Sequence, residues 1–193
     1  MSQEVVLIDY GAGNVRSVGF ALERIGYKAV LSRDVEVLER AERLIFPGVG
    51  HAAAAMAALQ DLNINSWLPN FKKPFLGICL GMQLLLDESE EGNTKGLGIF
   101  SGKVQKFPPK DRVPHMGWNE VEGNGPLYKG LNKAHFYFVH SYYAELNTFT
   151  SGICEYILPF SASLEKDNFF ACQFHPERSG KNGETLLKNF LSL

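Results

Sequence analysis

Cysteine is scarce in this chain, with three residues in 193, at positions 79, 154 and 172. They are neither paired along the sequence nor dense enough for a disulfide framework, so reduced thiols are expected. Cys172 and His175 alone have ligand-like spacing. A zinc site needs a second pair, and neither Cys-x-x-Cys nor His-x-x-x-His occurs to supply it, so no metal and no cofactor is expected. Long hydrophobic runs are missing too, although 45% of the residues are hydrophobic. Nothing approaches membrane-spanning length, and the N-terminus passes straight into Glu4-Val5-Val6-Leu7-Ile8 without the basic flank of a signal peptide, which reads as cytoplasmic. Nor is there an excess of either charge. Nineteen Lys and Arg against 21 Asp and Glu leave a net charge of -2 without long single-sign runs. That balance disfavours nucleic acid or an anionic membrane and suits a small substrate or a protein partner.

What is present fills a core: the length and apolar content suit one domain spanning residues 1–193. The organising stretch is Pro74-Phe75-Leu76-Gly77-Ile78-Cys79-Leu80-Gly81-Met82-Gln83. A short apolar run there ends in a cysteine bracketed by two glycines, and a helical pattern follows. Gly-x-nucleophile-x-Gly is the spacing of a nucleophile elbow, in which small flanking residues let a strand meet a helix at a sharp angle and push the middle side chain forward. The side chain so presented is Cys79. The helix reads onward through Leu80, Leu84 and Leu85, one turn of which stacks Gln83 beside the thiol, where its amide can read an amide substrate.

Around this stretch, strand and helix patterns alternate. Residues 5–8 read as a strand, Asp9-Tyr10-Gly11-Ala12-Gly13-Asn14 as a glycine loop, and Val15, Val18, Leu22 and Ile25 as the apolar face of a helix capped by Asn14. Arg16 stands where a dinucleotide fingerprint would need its third glycine, so the loop reads as a turn. Strands are expected at 27–31, 43–46 and 75–78 and helices at 35–41 and 52–59. This alternation predicts an α/β fold with a central, largely parallel sheet covered by helices on both faces. Beyond Gly92 the glycines multiply, and the aromatic stretches near 113–119 and 135–143 read as an antiparallel β extension of the sheet. Residues 153–157, 161–164 and 169–174 follow as strands and 184–193 as a closing helix. Cys154 and Cys172 read as core thiols, and His115, His135 and His140 as hydrogen-bonded structural residues.

The chemistry gathers in Gln173-Phe174-His175-Pro176-Glu177-Arg178. Pro176 holds His175 extended, so His175 and Glu177 can lie on one side of the chain. A cysteine nucleophile needs a base for its proton and a third group to orient that base, and Cys79, His175 and Glu177 supply the set. A helix beginning at Leu80 would favour the thiolate. The oxyanion made by attack on a carbonyl needs donors, for which the backbone N–H of Leu80 and one from the Gly48-Val49-Gly50 loop are placed, each worth about 3 kcal/mol.

With these residues in view, the chain resembles the class I (triad) glutamine amidotransferases, whose fold is flavodoxin-like. Within them it is similar to the glutaminase subunits of imidazole glycerol phosphate synthase. The elbow and His-Pro-Glu are shared by the whole class. Asp9-Tyr10-Gly11-Ala12-Gly13-Asn14, Pro47-Gly48-Val49-Gly50-His51, His115-Met116-Gly117-Trp118-Asn119 and His140-Ser141-Tyr142-Tyr143 sharpen the likeness to that subunit. The resemblance implies hydrolysis of L-glutamine through a γ-glutamyl thioester on Cys79, with His175 as base and then acid and Glu177 as its orienter. It implies that Gln83, Ser141 and Tyr142 hold the glutamine and that the Gly48-Val49-Gly50 loop is a switch. It further implies a heterodimer with a (β/α)8-barrel synthase, reached through Trp118, Asn119, Tyr137 and Arg178. Ammonia would pass to that partner to give imidazole glycerol phosphate and an aminoimidazole carboxamide ribotide in histidine biosynthesis. Arg178 departs from the lysine usual there, which affects only the geometry of an interdomain ion pair. The alternative is a paralogous subunit feeding ammonia to another synthase, for instance one amidating a sugar in surface polysaccharide synthesis.

Overall fold

A computed structural model describes residues 4–11 and 13–193; Ala12, part of the glycine loop, and residues 1–3 at the N-terminus lie outside the described residues. The alternation read from the first half of the chain is realised as β1 (Glu4–Ile8), α1 (Val15–Arg24), β2 (Lys28–Ser32), α2 (Val35–Arg40), β3 (Leu44–Gly48), α3 (Ala52–Asp61), the short α4 (Ile64–Trp67), β4 (Phe75–Cys79) and α5 (Leu80–Gln83). The second half adds β5 (Leu86–Ser89), β6 (Thr94–Lys95), β7 (Phe100–Lys106), β8 (His115–Gly123), β9 (Ala134–His140), β10 (Tyr142–Ala144), β11 (Thr150–Tyr156), β12 (Leu158–Lys166), β13 (Phe169–Cys172) and α6 (Gly180–Leu191).

Strands β2, β1, β3, β4 and β13 lie side by side and all run parallel. From β13 the sheet continues through β12, β10 and β7 by antiparallel pairs, and β11, β8 and β9 branch off β12 in the same sense. The fold is therefore mixed, with a parallel centre, flanking helices and the expected antiparallel extension.

Side chains alternate across a strand, so consecutive apolar residues feed opposite faces. Val5, Leu7, Ile45, Leu76 and Ile78 pack with Val18 and Leu22 of α1 and Leu186 and Phe190 of α6. Val6, Ile8, Leu44, Phe46 and Phe75 pack with Leu38 of α2 and Met56 and Leu59 of α3 on the other side. Strands β3 and β4 are buried along their whole length. That is why their sequences read as continuous apolar runs rather than as alternation.

Two local expectations change. The helix after the elbow is a single turn, and Leu84, Leu85 and Leu86 turn away into β5, which pairs with β7. A short apolar run buried on all sides carries no period by which helix and strand can be told apart. Asn14 occupies the N-cap position of α1, yet its side chain makes no cap hydrogen bond; it is engaged elsewhere.

Candidate active site

The elbow forms where β4 stops. Cys79 has φ 55° and ψ -112°, a conformation that L side chains adopt at a cost of roughly 1–3 kcal/mol and that clusters at functional sites. Its glycine neighbours are explained by distance. A Cβ on Gly81 would lie 2.1 Å from the Phe46 carbonyl oxygen, and one on Gly48 would lie 2.3 Å from the Gly81 nitrogen. The ends of β3 and β4 and the first turn of α5 therefore touch backbone to backbone, and the register sets Gly48 opposite Cys79. The thiol is 7% exposed and borders a cavity of about 380 Å³.

His175 faces the same cavity from the end of β13. Its backbone is extended ahead of Pro176, as a pre-proline residue should be. Its Nδ1 lies 2.8 Å from Glu177 Oε1, and both side chains are buried. The carboxylate accepts, so Nδ1 carries the hydrogen and Nε2 is left toward the thiol. Burial alone would favour the neutral ring, but contact with the Cys79 sulfur and the Glu177 carboxylate outweighs it and pushes the His175 pKa up to about 10. The imidazole therefore holds a proton at neutral pH. Cys79 is close enough to Nε2 to exert this effect while falling short of an aligned hydrogen bond, a common feature of unliganded sites.

The turn carrying the pair is tied to β9. His175 N donates to the Tyr137 carbonyl at 2.9 Å. Tyr137 N in turn donates to Ser179 Oγ at 3.0 Å, and Ser179 Oγ donates to the His175 carbonyl at 2.7 Å. The Asn14 side chain, diverted from its cap, donates through Nδ2 to Glu177 Oε1 at 2.5 Å. The loop from β1 to α1 thus holds the Glu177 carboxylate, a contact 163 residues apart in the chain that no local pattern announces.

Val49, Gly50 and Leu80 also line the cavity. Gly50 has φ +102°, open to glycine and costly for other residues, so this loop can turn its amides inward. Leu80 opens α5, where the first amides have no partner inside the helix. Because α5 is one turn long, the helix dipole expected behind the thiol is small; the imidazolium and individual amides take its place. Beneath the loop, the Tyr10 ring packs edge-on against Phe46. Burial pushes its hydroxyl up to about 12, with the Val49 amide acting in the opposite sense.

Gln83 lines the same cavity as the thiol, with its amide engaged on other partners. Its Nε2 donates to the Tyr142 carbonyl at 3.0 Å and to Gln173 Oε1 at 2.9 Å, and it is Gln173 whose Nε2 reaches Cys79 Sγ at 3.6 Å. With both amide hydrogens committed, only the Oε1 acceptor of Gln83 remains for a ligand. Gln173 had a signal in the sequence: it lies two residues before His175 along an extended segment and so shares its side. Ser141 and Tyr142 also line the cavity. Glu91, which sequence reasoning missed, lines it too and accepts at 2.8 Å from the Ala52 amide at the start of α3.

Of the residues expected to face a partner, Trp118 is 56% exposed and pairs across β8 and β9 with Tyr137, ring to ring at 6.3 Å, and Arg178 is exposed. Asn119 is half-buried: its Nδ2 donates to the Glu155 carbonyl at 3.0 Å and lies 3.3 Å from His115 Nε2. Among the described residues no group of three His, Cys, Asp or Glu could hold a metal, and no helix is long and apolar enough to cross a membrane.

The family described as glutamine amidotransferase class-I matches residues 6–193. The imidazole glycerol phosphate synthase subunit HisH of Bacteroides fragilis (strain YCH46) is 50% identical over 98% of this chain and 100% of its own. The imidazole glycerol phosphate synthase subunit HisH 2 of Campylobacter jejuni (strain RM1221) is 48% identical over 97% of each. Among solved structures, that of PurLQS from Thermotoga maritima superposes with a TM-score of 0.76 at 18% identity, over 100% of this chain and 99% of that one, which bears on the fold alone.

Proposed function

The chain belongs to the class-I glutamine amidotransferases, among the HisH subunits of imidazole glycerol phosphate synthase, and from that premise we propose that it hydrolyses L-glutamine on Cys79 and hands the ammonia to a synthase subunit. The observation that carries the reading is the buried line Glu177, His175, Cys79 at the mouth of the cavity.

The carboxamide carbon of glutamine is attacked by Cys79 Sγ, whose proton passes to His175. The oxyanion is met by the Leu80 amide and by an amide of the Gly48-Val49-Gly50 loop. His175 returns its proton to the departing nitrogen, which leaves as ammonia, and Cys79 keeps a γ-glutamyl thioester. The imidazole then takes a proton from water, which attacks the thioester, and glutamate and the thiol are restored. Glu177, held by Asn14, fixes the tautomer through both halves. At the far end of the substrate, the Glu91 carboxylate and the Gln83 carbonyl offer acceptors to an α-ammonium group, while Ser141 and Tyr142 wall the cavity.

Ammonia set free at neutral pH becomes ammonium and is useless as a nucleophile, so such a product is best passed directly to a second active site. We take that site to lie in a (β/α)8-barrel subunit forming a heterodimer with this single-domain, cytoplasmic chain. The barrel would yield imidazole glycerol phosphate and aminoimidazole carboxamide ribotide in histidine biosynthesis. Supporting this are the exposed Trp118 beside Tyr137 and the backbone bond from the His175 turn to Tyr137, which ties the proposed docking strand to the catalytic base. The test is an assay of the complex with Cys79→Ala: glutamine-dependent synthesis should vanish while synthesis from added ammonia persists. Survival of glutamine-dependent synthesis would refute the assignment.

A further inference from the structure

Gln173 is 0% exposed, although its side chain is uncharged and polar. Its Nε2 lies 3.6 Å from Cys79 Sγ and its Oε1 accepts from Gln83 Nε2 at 2.9 Å. The direction of this chain is fixed at its far end. The Tyr142 carbonyl can only accept, and it faces Gln83 at 3.0 Å and His140 Nδ1 at 2.7 Å. Gln83 must therefore turn its nitrogen to that carbonyl, and the same nitrogen faces Gln173. Were Gln173 flipped, two amide nitrogens would meet donor to donor, and its oxygen would confront the sulfur. The sulfur thus receives an N–H because a backbone carbonyl two side chains away admits no other arrangement.

We propose that Gln173 is a further catalytic residue of this site, donating a hydrogen bond to the Cys79 sulfur whenever that atom carries negative charge, with Gln83 as the positioning residue that sets its polarity. The proposal rests on the reading of Cys79 as nucleophile. Sulfur is charged twice in that reaction: before it attacks the carboxamide, and again when it departs from the thioester as water adds. A donor fixed in place serves both moments and also holds the thiol in one rotamer.

The test is peptide-resolved alkylation of Cys79 by iodoacetamide as a function of pH, on the folded chain, with near-ultraviolet circular dichroism as the check on folding. Gln173→Met keeps the volume and removes the donor. Its Cys79 alkylation at neutral pH should fall by roughly ten- to a hundredfold, the range for losing one hydrogen bond to a charged acceptor, and the pH midpoint should move up. Gln83→Met leaves Cys79 and Gln173 in place, adds no charge and removes the N–H that pins the Gln173 oxygen, so Gln173 is freed to turn and the midpoint should move in the same direction by a smaller step. An unchanged midpoint in either folded variant overturns the proposal, and if Gln173→Met does not fold, Gln83→Met decides alone. Glutamine turnover that survived complete alkylation of Cys79 in the parent chain would instead sink the functional reading.

Discussion

Two buried histidines should make this protein sensitive to mild acid, and the size of the effect follows from their surroundings. His115 is stacked between Phe138, with centroids 4.7 Å apart, and Tyr156, at 4.0 Å. Its Nδ1 lies 3.0 Å from His140 Nε2. The Tyr142 carbonyl obliges His140 to donate through Nδ1, so His140 Nε2 accepts from His115 Nδ1 and His115 Nε2 is left to accept from Asn119. Both rings are therefore held neutral. Burial pushes His115 down to about 4. It pushes His140 down to about 3, opposed by the Tyr142 carbonyl and reinforced by its neighbours His115 and His175. Folded values below the unfolded value of about 6.5 mean that the unfolded chain binds more protons, so stability present above that pH is lost as pH falls. From about pH 7 to about pH 5 the loss is about 2 kcal/mol for each ring and about 4 kcal/mol for the pair, against a typical total of roughly 5–15 kcal/mol.

His175 works in the opposite direction. Its folded value is raised to about 10, so its contribution is complete below the unfolded value and is lost as pH rises toward 10; between about pH 7 and about pH 5 it returns about 1 kcal/mol and leaves a net loss of about 3 kcal/mol. Urea unfolding at the two pH values reads the difference directly, with the midpoint moving and the slope unchanged. His115→Phe removes one titrating ring and should shrink the pH dependence by more than half. Equal stability at the two pH values, or a folded-state titration of either histidine near 6.5 by NMR, would refute the reasoning.

Glu91→Gln should raise the KM for glutamine by about tenfold or more with little change in kcat, because a charged acceptor for the ammonium becomes neutral while the Ala52 amide keeps its oxygen partner; steady-state glutaminase assays of the complex decide it. Gly183→Ala places a Cβ 1.8 Å from the Pro176 carbonyl oxygen, so α6 or the His-Pro-Glu turn must move. Unfolding by urea should show a loss of about 1–3 kcal/mol, and glutamine turnover should drop although no side chain of the cavity is altered.

Much of this could be read along the chain because two features are local. The glycine bracket around Cys79 reports a close backbone approach, and Pro176 reports an extended His175, so the grouping of Cys79 with His175 and Glu177 was legible along the chain. The parallel centre was legible for the same reason, since β3 and β4 are buried on both faces and read as apolar runs. What escaped depends on distance in sequence. Asn14 resembles a helix cap and is drawn away by Glu177 across the fold. Gln83 shares the cavity with Cys79 as one helical turn suggests, but Gln173, arriving on another strand, bonds to both. The amide of Asn119 meets Glu155 and His115, partners 36 and 4 residues away that its own stretch does not announce. The one-turn α5 was read as longer because Leu84, Leu85 and Leu86 are buried in either conformation.

The central claim is that Cys79 carries the γ-glutamyl group between loss of ammonia and arrival of water. Rapid acid quenching of the partner-bound enzyme during glutamine turnover, followed by peptide mass spectrometry, tests it most directly. The predicted result is a γ-glutamyl adduct on the peptide containing Cys79, absent from the Cys154 and Cys172 peptides and abolished by prior alkylation of Cys79. Turnover at full rate with no adduct on Cys79, or with the adduct on either of the other cysteines, would contradict it.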